Sequence, residues 1–182
     1  ITKWGSTIAR LNMSLQAGNG QAQYRLHTEA VGLIAAITDE ELTETSQLKQ
    51  NENKSWQLEN FSQQRAEDKQ RYQKFSLTTD GDKLRVQGEH DGKPFRLTAS
   101  APVWDRSSVQ IALTCDLLGG NKPLPAYDYT IIDGGNINQY HLEFRGQEII
   151  RIADKEFDTL KFERISGDRS TLFWVAPSLQ YM

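Results

Sequence analysis

A chain of 182 residues is long enough to bury a core without disulfides or metal, and short enough that residues 1–182 read as a single domain. Its 37% hydrophobic and 25% charged residues are those of an ordinary globular protein, and a net charge of −3 argues against a phosphate-binding surface spread over the molecule. No apolar run approaches the roughly 20 residues of a transmembrane helix, so no membrane span and no nucleic-acid partner are expected.

Alternation dominates from the start. In "STIARLNMSLQ", Ala9, Leu11, Met13 and Leu15 share one face of a strand, with Arg10, Asn12 and Ser14 on the other. The turn "AGNG" leads to a second strand carrying Ala22, Tyr24 and Leu26. "VGLIAAI" (31–37) is apolar all round, and a helical turn and a buried strand both fit it. The polar stretch 49–75 reads as strands with long connections around "NENK" and "RAEDK". Three short strands separated by Asp-Gly pairs follow, with Phe75 and Leu77, Leu84 and Val86, then Phe95 and Leu97 inward.

One helix interrupts the strands. Asp105 is its N-cap, Val109, Ala112, Leu113 and Leu117 form its apolar stripe, and Gly119-Gly120 stop it. Tyr127, Tyr129 and Ile131 then alternate before a "DGGN" turn, and Tyr140, Leu142 and Phe144 alternate after it. "QEIIRIA", "FDTLKFERIS" with Leu160 and Phe162 on one face, and "STLFWVAP" predict further strands. About nine to ten antiparallel strands with one helix give a mainly β fold, a curved sheet or barrel, because strand–helix alternation is missing.

Catalytic chemistry finds no good candidate. His27, His90 and His141 are scattered without metal-ligand spacing, and the acidic turns "TDGDK" and "ADKEFD" lack a calcium loop's closing Glu. Ser46 and Lys49 match S-x-x-K by spacing, but in a strand-like run without the companion motifs. Cys115 forms no intramolecular disulfide and falls inside the helix, where a small buried hydrophobe is the simpler reading than a nucleophile. No cofactor is implied.

The aromatics are the better lead. A curved sheet with a helix across its mouth either packs them as core or leaves an apolar cavity for a greasy ligand. Trp104, Leu113, Tyr129, Phe144, Phe162 and Trp174 are the residues that would line it.

At the C-terminal third, "YDYTIIDGGNINQYHLEFRGQE" followed by "FDTLKFERISGDRSTLFWVAP" resembles bacterial envelope proteins grouped as domain of unknown function 3108. Members look like Y-x-Y-x-V-x-D-G-G-x-I-x-x-Y, then F-x-T-x-K-V-E-R, then T-x-x-W-x-A-P, which residues 127–140, 157–164 and 171–177 match in order. "VWDRSSVQIALTCDLLGG" and "VGLIAAITDEELTETSQL" are similar to two earlier family blocks. The resemblance implies a periplasmic protein whose N-terminal signal peptide is removed, which fits a start at Ile1, and a final strand beyond Met182. It also implies a half-barrel similar to the lipoprotein carriers LolA and LolB, with a helix on the concave face. No catalytic residue transfers.

The expected function is therefore non-catalytic binding of a lipid or acyl chain in envelope maintenance. An adaptor that binds another envelope protein through a sheet edge is the alternative. A hydrolase using Ser46 or Cys115 is a third.

Overall fold

Strands of eight to ten residues recur through the first hundred residues, and several of them are joined by two-residue turns. Asn19-Gly20 and Asp91-Gly92 both hold φ between 48° and 76°, the paired left-handed conformation of a tight hairpin turn. The computed structural model describes residues 2–3, 6–7, 9–32, 35, 41–65, 72–100, 102–120, 122–166 and 169–180. Most of the apolar stretch 31–37 and most of "RAEDK" lie outside the described residues.

A two-residue pair, β1 (Thr2–Lys3) with β2 (Ser6–Thr7), precedes an antiparallel meander of seven strands. These are β3 (Ala9–Gly18), β4 (Gln21–Ala30), β5 (Glu41–Gln50), β6 (Trp56–Arg65), β7 (Tyr72–Asp80), β8 (Lys83–His90) and β9 (Lys93–Ser100). Then come β10 (Val103–Asp105), α1 (Val109–Gly119), β11 (Ala126–Asp133), β12 (Asn136–Ile152), β13 (Lys155–Ser166) and β14 (Arg169–Val175). The second sheet is ordered β10-β11-β12-β13-β14, and neither sheet closes on itself. The fold is thus mainly β and antiparallel with one helix among the described residues, none long and apolar enough to cross a membrane.

Among the described residues the two sheets hold twelve strands, more than the nine or ten expected. β5 is hard to read because its inward row is mostly polar: Glu44 and Ser46 are as buried as Leu48. Expected as a strand of its own, "QEIIRIA" is instead the continuation of β12, which pairs with β13 on both sides of a bulge between Phe144 and Gly146. Gly146, at φ 106°, is the residue that can turn there. β3 also departs from expectation. Leu11, Met13 and Leu15 are 41–46% exposed, because β3 is the end strand of its sheet and its apolar row is left half in solvent.

The described residues form two compact units, one from residues 1–108 with 132–137, the other from 109–131 with 138–182. In the first, Leu58, Phe61, Phe75, Leu77, Val86, Ala99, Val103 and Ile132 make the core, and Leu84, Phe95 and Leu97 pack on it. The second has Phe162 at its centre, fully buried, with Phe144, Phe173 and Tyr127 rings 5.5–6.0 Å away.

Candidate functional site

Polar contacts hold the turn before α1 and, separately, the helix itself. Oδ1 of the buried Asp105 accepts the backbone N–H groups of Ser107 and Ser108, each at 2.8 Å, and so caps the turn leading into the helix. Along the helix, Tyr129 Oη on β11 donates to Asp116 Oδ2 at 2.6 Å. Burial, reinforced by that carboxylate, pushes the Tyr129 phenol far above its ordinary range, so the proton stays in the bond.

The sheet below the helix is laid out in rows by its register. Leu142, Arg164 and Thr171 lie opposite one another, then Phe144, Phe162 and Phe173, then Leu160 and Val175. Side chains two apart on a strand share a face, so these rows form one surface running from polar to aromatic to aliphatic. A pocket of about 310 Å³ opens on it, lined by Val109, Gln110 and Leu113 of α1 and by Tyr140, Leu142, Arg164, Thr171, Phe173, Trp174 and Val175 of the sheet. Its volume lies near the lower end of ligand-sized pockets, roughly 300–1,000 Å³.

The expected lining residues divide. Leu113 and Trp174 line this pocket, whereas Tyr129, Phe144 and Phe162 pack the same unit without lining it. Trp104 is buried on β10, in the first unit. Trp174 lines the pocket between Phe173 and Val175, but its indole is engaged on the reverse face. There Nε1 donates to Glu148 at 3.0 Å, and Lys161 Nζ stands 5.4 Å from the ring centre. Those two partners hold the Glu148 carboxyl below its usual range.

Arg164 escaped notice in the sequence. Its Nε is buried in the pocket wall with no hydrogen-bond partner, and its guanidinium carbon sits 4.7 Å over the Tyr140 ring. The signal was available, since Arg164 extends the inward alternation of Leu160 and Phe162. The three blocks quoted above also meet here: Tyr140 closes the first, Arg164 closes the second, and the third supplies Thr171 and Trp174.

Other candidates fall elsewhere. Ser46 is fully buried in the first unit, whereas Lys49, on the opposite face of β5, pairs with Glu59 at 3.0 Å. A strand places positions i and i+3 on opposite faces, so the S-x-x-K spacing assembles no dyad. Cys115 is half-buried in α1, and burial raises its thiol pKa, with Asp116 adding to the effect. His141 faces Asp128 at 2.7 Å on the exposed side of β12. Strand pairing gathers His27, Glu29 and Glu41 within 4.8 Å, a cluster invisible to sequence spacing. Two of its members are already engaged, His27 with Thr43 at 3.0 Å and Glu29 with Arg10 at 2.8 Å.

The family described as "Protein of unknown function (DUF3108)" matches residues 3–182. The chain belongs to the DUF3108 family. No curated protein matches this DUF3108 member. Among solved structures it is similar to the "Beta-barrel-like Protein of Domain of Unknown Function DUF1849 from Brucella abortus". The TM-score is 0.53 at 8% identity, over 92% of this chain and 76% of that one. The likeness is one of fold alone.

Proposed function

We propose that the protein binds an apolar ligand, a lipid or acyl chain, in the pocket under α1 and does no covalent chemistry on it. One observation carries this reading: the apolar face of a helix and the aromatic and aliphatic rows of a sheet leave about 310 Å³ between them instead of packing it shut. Its lining is mostly aliphatic and aromatic, the composition of a site for an apolar ligand, with Arg164 and Thr171 as the polar groups at one end. In this reading the protein acts in the bacterial periplasm, in envelope maintenance, as the expected export of its family and the expected likeness of the family fold to lipoprotein carriers suggest.

Native mass spectrometry of protein purified without detergent, with organic extraction of bound material, tests the proposal. A co-purified acyl chain that is lost in Leu113→Trp, where the indole fills the pocket, supports it. A clean apo mass together with no uptake of added acyl chains by the wild type overturns it.

A second reading, an adaptor joined by strand addition, is favoured by the exposed apolar row on the end strand β3. Gel filtration and pull-down from a periplasmic extract test it, and a monomer without a partner in both assays ends it.

A further inference from the structure

Arg164 is half-buried on a largely apolar row of the sheet. Its strand neighbours on the same face are Leu160 and Phe162, and across the ladder it faces Leu142 and Thr171. A guanidinium brought against apolar surface is costly unless a counter-charge and hydrogen bonds satisfy it. Two more exposed arginines of the same sheet do have carboxylate partners: Arg145 meets Glu163 at 2.6 Å, and Arg151 meets Glu156 at 2.6 Å. Arg164 has no carboxylate among the described residues. Its stacking partner is the neutral Tyr140 ring, and its Nε is buried and unpaired. Stacking holds the guanidinium plane in one orientation while its Nε–H is left without a partner.

That Nε–H sits at one end of a polarity gradient. From the Arg164 and Thr171 row to the Leu160 and Val175 row is four residues along a strand, or about 13 Å. The pocket is therefore polar at one end and apolar at the other, and its modest volume suits one chain rather than two. We infer that its ligand is a single-chain amphiphile with a carboxylate head, the chain lying along Phe173 and Val175 and the head taking the side-on fork of Arg164. A planar carboxylate fits the Nε and terminal N–H pair bidentately, which a neutral alcohol head cannot do.

This inference rests on the pocket reading above, and the experiment separates the two. Delipidated protein is titrated calorimetrically with decanoate and with 1-decanol, which have the same chain length but different heads. The wild type is expected to favour decanoate by roughly 10- to 100-fold, the range of a charge-assisted hydrogen bond. Arg164→Gln is expected to bring the ratio close to one while decanol binding holds. Arg164→Lys, which keeps charge without the fork, should fall between and serves in its place if the glutamine variant does not fold. Equal binding of the two ligands by the wild type, or a preference untouched in Arg164→Gln, overturns the carboxylate anchor and leaves the pocket standing. Failure of both ligands to bind the wild type overturns both. A preference that survives in Leu113→Trp also overturns the anchor, because it places the head group outside this pocket.

Discussion

Phe75 lies directly across the β7–β8 ladder from Gly88, and a Cβ at position 88 would come within 2.5 Å of the Phe75 Cβ and 2.2 Å of the Lys74 carbonyl oxygen. The glycine lets a core phenylalanine and the neighbouring backbone close on the strand. Gly88→Ala is expected to cost about 2–3 kcal/mol, through overpacking against backbone that cannot step aside. Gly81, at φ 63° with open space around it, isolates the conformational part, and Gly81→Ala should cost only about 1–2 kcal/mol. Urea unfolding of the two variants makes the comparison, and equal midpoints would contradict the steric account.

Phe162 is the ring around which the second unit packs, touching aromatic neighbours on both adjacent strands and on β11. Phe162→Ala should lose about 3–5 kcal/mol, and Phe162→Leu about 1.5 kcal/mol or less, in thermal or urea unfolding. Ring removal also deepens the floor beside Phe173, so any acyl chain bound by the alanine variant should shift toward longer lengths.

Asp105 accepts two backbone N–H groups and the Ser108 hydroxyl, and in return its own N–H donates to Ser108 Oγ at 3.1 Å. Burial raises its carboxyl above the ordinary range, and the hydrogen bonds pull it back down. Asp105→Ala orphans several buried groups at once and should cost about 2–4 kcal/mol. Asp105→Asn keeps the Oδ1 acceptor and should cost clearly less. Loss of equal size in both would mean that charge, not capping, carries the effect.

His141 is held above its usual imidazole range, chiefly by its hydrogen bond to Asp128. The folded state therefore binds this proton more tightly than the unfolded state. Its stabilising contribution is complete below about pH 6.5 and is lost as pH rises through the raised value. An NMR titration of the imidazole should find its midpoint lowered in Asp128→Asn. An unchanged midpoint would show that the pair does not persist in solution.

Much of the fold was legible because strand, turn and cap signals are local. The Asp-Gly hairpins and the inward pairs Phe75/Leu77 and Leu84/Val86 follow from residues adjacent in sequence, whereas Asp105, expected to cap the helix itself, caps the turn before it and α1 starts at Val109. What resisted reading depends on partners far along the chain. β5 buries Glu44 against Arg106, 62 residues away, so its inward row looks like solvent-facing sequence. β3 looks half-buried by alternation, but whether an apolar row is covered depends on its place in the sheet. The pocket was hidden for the same reason, since Arg164 meets Tyr140 and Thr171 only through strand pairing.

The bulge at Arg145 acts on β12 as a frameshift acts on a message. From Tyr140 to Phe144 the even-numbered side chains lie on the pocket face, whereas beyond Gly146 it is the odd-numbered Gln147 that stands opposite the inward Leu160. One surplus residue keeps two half-messages in phase with a single partner strand. Length changes in this strand should therefore be accepted in twos and rejected singly, because removing one residue would turn either the pocket wall or the far half of the ribbon inside out.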